Sequence, residues 1–217
     1  MKNIPRIFLG ENLNTGDVVP AAREVSHYLT RVMRRRDFLA FGGGGEFTAR
    51  ISDDGKSFIV GDRTAHADPS GDVILYFAPI KRTDDLVNFA TQMGVKKMVP
   101  VITARTVANN INWDRMRKIA IEAAEQSNRN SVPEIFAPIK FSDLNPADVV
   151  FADERCAYGA AAANVGNAQS VLVGPEGGFS DEEFATLDAG GARGISLGTT
   201  ILRAELAAAV ALSRVMK

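Results

Sequence analysis

Leu172-Val173-Gly174-Pro175-Glu176-Gly177-Gly178-Phe179-Ser180-Asp181-Glu182-Glu183 reads in succession as a short apolar strand, a glycine-bracketed turn and the start of a helix. Ser180 stands at an N-cap position, and Glu183 three residues later completes a capping box, in which the two side chains satisfy each other's backbone N–H groups. Gly174, Gly177 and Gly178 allow a sharp turn and leave the main chain open to a closely approaching ligand. A strand-to-helix connection without a ligand would carry the same signature. A second run, Ser196-Leu197-Gly198-Thr199-Thr200-Ile201-Leu202-Arg203-Ala204-Glu205, has the same form, and two such turns close together favour a pocket.

Outward from these turns, strands alternate with helices. Val73–Phe77, Lys97–Ile102, Val149–Phe151, Ser170–Val173 and Gly194–Leu197 are the predicted strands. Asp84–Met93, stopped by Gly94, and Trp113–Ser127, Asp181–Ala189 and Ala204–Met216 are the predicted helices. Such alternation implies βαβ units and a parallel sheet, hence an α/β domain, and ligands of such sheets bind beyond the carboxyl ends of the strands. Both glycine turns fall there. Before His66–Asp72, which has the Pro, Gly and Ser of a linker, the pattern is different. Arg6–Leu9, Asp37–Phe41, Glu46–Ile51 and Ser57–Val60 are short strands, with hairpin turns at Gly42–Gly45 and Asp53–Gly55. One amphipathic helix is predicted over Ala21–Met33, with Val25, Tyr28, Leu29 and Val32 on its apolar stripe. The expected division is therefore a β-rich module, 1–71, and an α/β domain, 72–217.

With 217 residues, 46% of them hydrophobic and 24% charged, the chain has ordinary globular composition. A formal net charge of −1 gives no global attraction to nucleic acid, so any such role rests on a local patch. Arg31, Arg34, Arg35 and Arg36 form one, which by itself would also suit a solvated surface. The single cysteine, Cys156, excludes an internal disulfide and any multi-cysteine metal site, and the two histidines, His27 and His66, stand far apart, so no metal is expected. No apolar run approaches the roughly 20 residues of a membrane span, and the start lacks a secretory h-region, so a cytoplasmic protein is expected with no membrane association.

Neither a G-x-x-x-x-G-K-[ST] loop nor a G-x-G-x-x-G fingerprint occurs. Glu176 inside the first turn also disfavours a polyphosphate, whereas its carboxylate suits an amine, a hydroxyl or a base edge.

Several runs carry a family resemblance: Leu172–Phe179, the LGTTILRAE run from Leu197 to Glu205, EAAEQSNR from Glu122 to Arg129 with Val132-Pro133 behind it, and Gly94-Val95 ahead of a strand. The SHYLTRVMR helix and the GGGGEFTARI hairpin near the start add to it. Together they resemble the 16S ribosomal RNA uridine N3-methyltransferases, a family of the SPOUT superfamily of S-adenosylmethionine enzymes, over nearly the whole chain. The resemblance implies a PUA-like RNA-binding β-barrel at 1–71, a SPOUT domain with a trefoil knot at 72–217, and a homodimer. It implies S-adenosylmethionine held by Leu172, Gly174, Glu176, Gly177, Leu197, Gly198, Ile201 and Leu202, and phosphates of 16S rRNA in the small ribosomal subunit touched by Arg31, Arg34, Arg35 and Arg36.

Methylation at N3 requires loss of a proton and leaves negative charge on the ring. Arg203 is the expected cation beside that charge, an ion pair with Glu205 or Glu176 being its other reading. Glu205 is the expected proton acceptor, with helix capping as the plainer role. The chain departs from the family's usual runs at Ala204 and Leu206, where hydroxyl-bearing residues are common, and at Phe89 and Gln92, where Lys and Glu are usual. A SPOUT enzyme acting on tRNA and a non-catalytic RNA-binding protein of the same fold are the alternatives.

Overall fold

The computed structural model describes residues 4–68, 72–107 and 111–216. Pro69, Ser70 and Gly71 of the predicted linker lie outside them. The chain divides into two units, Met1–Pro69 with Ala124–Val132, and Ser70–Ala123 with Pro133–Lys217.

In the first unit the short β-favouring runs form β1 (Arg6–Phe8), β2 (Val18–Pro20), β3 (Asp37–Gly42), β4 (Gly45–Ile51) and β5 (Ser57–Arg63). Their order in the sheet is β1-β3-β4-β5-β2, with β1 parallel to β3 and the other pairs antiparallel. The β3–β4 hairpin turns through Gly43 and Gly44, both at positive φ (57° and 77°), the conformation a two-residue hairpin demands. Along β4 the alternation holds: Phe47, Ala49 and Ile51 are buried, while Thr48 and Arg50 face solvent. These side chains meet Leu29, Phe38 and Phe58 in one core.

The helix predicted over Ala21–Met33 departs from expectation. Only Arg23–His27 (α1) is α-helical, and Tyr28–Val32 continues as a π-helix, in which Met33 N–H reaches the Tyr28 carbonyl. The wider turn rotates the stripe out of register, so Leu29 is fully buried while Tyr28 and Val32 are 43% and 60% exposed.

Buried polar groups tie Ala124–Val132 to β1 and β4 within this unit. The Arg6 guanidinium donates to Glu46 Oε2 (2.8 Å), Asn130 Oδ1 (2.8 Å) and the Arg129 carbonyl (3.0 Å), and it lies 4.7 Å from the Phe41 ring centroid. Phe8 N–H donates to Glu125 Oε1, and Asn130 N–H to Asp68 Oδ1.

The second unit contains β6 (Ile74–Phe77), α2 (Thr83–Met93), β7 (Lys97–Ile102), α3 (Trp113–Gln126, up to Ala123), β8 (Glu134–Ile135), β9 (Ile139–Lys140), β10 (Val150–Ala152), β11 (Ser170–Val173), α4 (Asp181–Ala189), β12 (Arg193–Ile195) and α5 (Ala204–Val215). Strand order is β12-β10-β11-β6-β7-β8, with β9 also on β7, and every pair is parallel. This is the α/β architecture with the parallel sheet expected from the strand–helix alternation. All four residues of β11 are buried, as a parallel strand covered on both faces requires. Gly94 ends α2 in the left-handed conformation (φ 100°). The alanines of α5 turn Ala204, Ala207, Ala208 and Ala211 inward, and the helix packs on α2. Among the described residues, no helix is long and apolar enough to cross a membrane.

Candidate functional site

Three loops leave the carboxyl ends of the neighbouring strands β10, β11 and β12, where a parallel sheet presents ligand sites. Together with the start of α5 they enclose a cavity of about 280 Å³. The β10 loop contributes Asp153, Glu154 and Ala157; the β11 turn contributes Gly174, Pro175, Glu176, Gly178 and Phe179. The β12 turn contributes Leu197, Gly198, Thr200, Ile201, Leu202 and Arg203, followed by Ala204.

The β11 turn is held in place from several sides. Ser180 Oγ accepts from Glu183 N–H (3.2 Å) and Glu183 Oε2 accepts from Ser180 N–H (2.9 Å), so the capping box is formed. The buried Glu183 carboxylate does a second job that local sequence could not reveal, since its Oε1 accepts from Ala104 N–H (2.7 Å) in the segment after β7. From the same segment the Arg105 guanidinium donates to the Gly177 carbonyl (2.9 Å). Phe179 anchors the far side of the turn among Phe141, Phe151 and Phe184. A Cβ at Gly174 would lie 3.1 Å from the Phe179 ring, so glycine there lets that ring close over the turn.

The β10 loop rests on a charged cluster. Asp153, buried, caps the 3-10 turn Glu154–Tyr158 by accepting from Arg155 N–H (3.0 Å). The Arg155 guanidinium donates to both Asp153 and Asp188 of α4 and lies 4.2 Å from the Phe184 ring centroid. Its hydrogen bonds to Asp188 and then Asp153 tighten its hold on the proton, and in turn they keep the Asp188 carboxyl below the usual aspartate range. Gly194 makes room for this cluster, because a Cβ there would lie 2.5 Å from Asp153 Oδ2. Burial, helped by Asp153, pushes the Cys156 thiol up, which suits a packing residue rather than a nucleophile.

In the β12 turn, Gly198 has φ 138°, a conformation only glycine adopts readily. Arg203 is the N-cap residue of α5; its side chain makes no cap hydrogen bond. Neither carboxylate considered as its partner pairs with it. Glu205 Oε1 instead faces Arg82 Nε at 3.8 Å, and Glu176 Oε1 accepts from Lys81 N–H (3.0 Å). The Arg203 side chain thus lines the cavity with no hydrogen bond or ion pair to another described residue.

Of the residues the sequence singles out, Gly174, Glu176, Leu197, Gly198, Ile201, Leu202 and Arg203 line one cavity. Leu172 is buried in β11, Gly177 faces Arg105, and Glu205 is buried in the first turn of α5. Arg31, Arg34, Arg35 and Arg36 belong to the first unit. Arg36 pairs with Asp53 (3.0 Å), and Arg34 takes a left-handed backbone conformation (φ 52°). Local reading missed Arg82, Arg105 and Glu154. Glu154 was within reach, since it follows the carboxyl end of a predicted strand, but the roles of Arg82 and Arg105 depend on contacts across the fold. Among the described residues, no three His, Cys, Asp or Glu side chains gather to hold a metal ion.

Comparison with known proteins fits this geometry. A sequence model described as an RNA methyltransferase domain matches residues 67–216. The ribosomal RNA small subunit methyltransferase E of Rickettsia conorii is 31% identical, with 97% of this chain and 94% of that protein covered. The protein of the same name from Aquifex aeolicus is 27% identical over 93% of this chain and 94% of its own. A crystal structure of the Neisseria gonorrhoeae ribosomal RNA small subunit methyltransferase E bound to S-adenosyl methionine matches with a TM-score of 0.83 at 25% identity, covering 97% of this chain and 96% of that one. A parallel sheet with a glycine-turned cavity at its carboxyl end, matched over nearly its whole length by these relatives, shows that the chain belongs to the ribosomal RNA small subunit methyltransferase E family of RNA methyltransferases.

Proposed function

We propose that this chain methylates N3 of a uridine in 16S rRNA of the small ribosomal subunit, using S-adenosylmethionine. The observation that carries the proposal is the cavity between the two glycine turns with an unpaired Arg203 at its edge. Its makeup suits the cofactor: about 280 Å³, largely apolar walls from Pro175, Phe179, Leu197, Ile201 and Leu202, and main chain laid bare at Gly174 and Gly198. Those groups, with Glu176, would hold the adenosyl and methionyl parts, and Leu172 and Gly177 would support them from behind. The cofactor supplies a methyl group on a sulfonium, whose sulfur leaves neutral.

The chain's own work is then to align the base, remove the N3 proton and offset the charge left on the ring. Arg203 supplies that offset, being a cation whose side chain has no partner among the described residues. Glu205 takes the proton, and Arg82 at 3.8 Å holds its carboxylate in place. The target base would be presented unpaired or turned outward.

Residues 1–71 serve in this reading as a PUA-like RNA-binding β-barrel, with Arg31, Arg34, Arg35 and Arg36 on phosphates, and 72–217 as a SPOUT domain threaded through a trefoil knot. The protein works in the cytoplasm as a homodimer. Exposed Phe89 on α2 and Leu206 on α5, two helices packed together, supply apolar surface for a second copy.

The test is methyl transfer from labelled cofactor to small subunits lacking the modification, with Arg203→Ala beside the unaltered protein. Incorporation that Arg203→Ala abolishes while cofactor binding persists supports the proposal. Cofactor binding without incorporation by the unaltered protein, or preference for free tRNA, contradicts it.

A further inference from the structure

Glu154 is the one carboxylate on the cavity wall with nothing to do. Asp153 beside it is committed to Arg155, and Glu176 accepts from Lys81 N–H. The Glu154 side chain is exposed at the mouth of the cavity and makes no hydrogen bond or ion pair to another described residue. Its carboxylate lies against the first glycine turn, where a Cβ at Gly178 would come within 2.3 Å of Glu154 Oε1 and 2.9 Å of Oε2. Gly178, at φ 68°, therefore leaves the carboxylate its place over the cavity.

We infer that Glu154 is the group that distinguishes the charged cofactor from its spent form. The inference rests on the S-adenosylmethionine reading of the cavity. The two ligands differ by one methyl group and one positive charge: the sulfonium before transfer, the neutral thioether after it. A free carboxylate held beside the ligand attracts the first and is indifferent to the second, so it favours loading of the cofactor and release of the product. Arg203 is the opposing cation on the wall. It stands at the start of α5, whereas Glu154 stands at the end of β10, so the two charges need not cancel at the ligand.

The experiment is calorimetric titration of the full chain with S-adenosylmethionine and with S-adenosylhomocysteine, for the unaltered protein, Glu154→Gln and Glu154→Asp, at low and high salt. Glu154→Gln keeps size and hydrogen-bonding capacity but removes the charge. At low salt it is expected to weaken the sulfonium ligand about fivefold and the thioether less than about twofold, the scale of one partly exposed charge interaction. Glu154→Asp keeps the charge and should retain much of the preference, and in the unaltered protein rising salt should erode it. Equal weakening of both ligands by Glu154→Gln would reduce Glu154 to a hydrogen-bonding role and overturn the inference, as would no weakening of either. A preference unaffected by salt overturns it without recourse to a variant. Binding of neither ligand by the unaltered protein would instead overturn the cofactor reading itself.

Discussion

Replacing Arg6 by Met should unfold the first unit at markedly lower denaturant. Arg6 and Glu46 side chains are only 7% and 5% exposed, and their 2.8 Å ion pair satisfies a charge that water cannot reach. Without the guanidinium, the Glu46 carboxylate keeps only the Thr64 hydroxyl (2.8 Å) among the described residues, and the Arg129 carbonyl and Asn130 Oδ1 are deprived of a donor. Breaking a buried pair by deleting one partner costs about 3–5 kcal/mol, because the orphaned charge stays buried. Met occupies the space beside Phe41, so little of the destabilisation comes from packing. Urea unfolding followed by circular dichroism gives the total, and hydrogen exchange at Leu39 N–H, which donates to the Pro5 carbonyl, locates it in this unit. The double variant Arg6→Met, Glu46→Leu removes both charges and is expected to lose less stability than Arg6→Met alone. A destabilisation below about 1 kcal/mol for Arg6→Met, or a double variant worse than the sum of the singles, would refute the reasoning.

Three further outcomes are expected. Arg105→Ala frees the Gly177 carbonyl and loosens the β11 turn, so cofactor affinity should fall about five- to tenfold with a cost in thermal unfolding under about 1 kcal/mol; unchanged affinity would show that the turn holds itself. Asp188 has its pKa lowered by Arg155, so its contribution to stability is full above the ordinary aspartate value and disappears as pH falls through the lowered one. Asp188→Asn should therefore flatten the acid limb of a stability–pH curve and leave its slope near neutrality alone. Replacing Arg31, Arg34 and Arg35 by Ala should weaken RNA binding at low salt and reduce the slope of log affinity against log salt by about 2–3, roughly one for each phosphate no longer neutralised; an unchanged slope would move the RNA interface elsewhere.

Where local chemistry decides structure, the chain could be read directly. The Ser180–Glu183 capping box, the left-handed Gly94 that stops α2, the Gly43-Gly44 hairpin and the alternation along β4 each depend on neighbours within a few residues. Much of the cavity was legible for the same reason, because both glycine turns follow apolar strands and such turns collect at one end of a parallel sheet. What escaped depends on distant partners. β2 is three residues long, ends in Pro20 and exists through pairing with β5. β8 and β9 are two-residue additions to β7. The π-helical turn at Tyr28–Val32 keeps the same residues but changes their facing, which periodicity cannot register. Asp188 and Arg155 are 33 positions apart, Arg6 and Asn130 124, and nothing in either neighbourhood announces the partner. For Arg203, the sequence placed the residue correctly at the turn but left its pairing with Glu205 or Glu176 open. Arg82 and Lys81 N–H occupy those carboxylates and leave Arg203 without either.

The most direct measurement is nucleoside mass spectrometry of 16S rRNA after small subunits lacking the modification are incubated with the full chain and S-adenosylmethionine. The expected product is N3-methyluridine at a single site, formed by the unaltered protein and not by Arg203→Ala. Methylation at another atom, or tight cofactor binding with no methylated nucleoside, would contradict the assignment of this cavity to uridine N3 methylation.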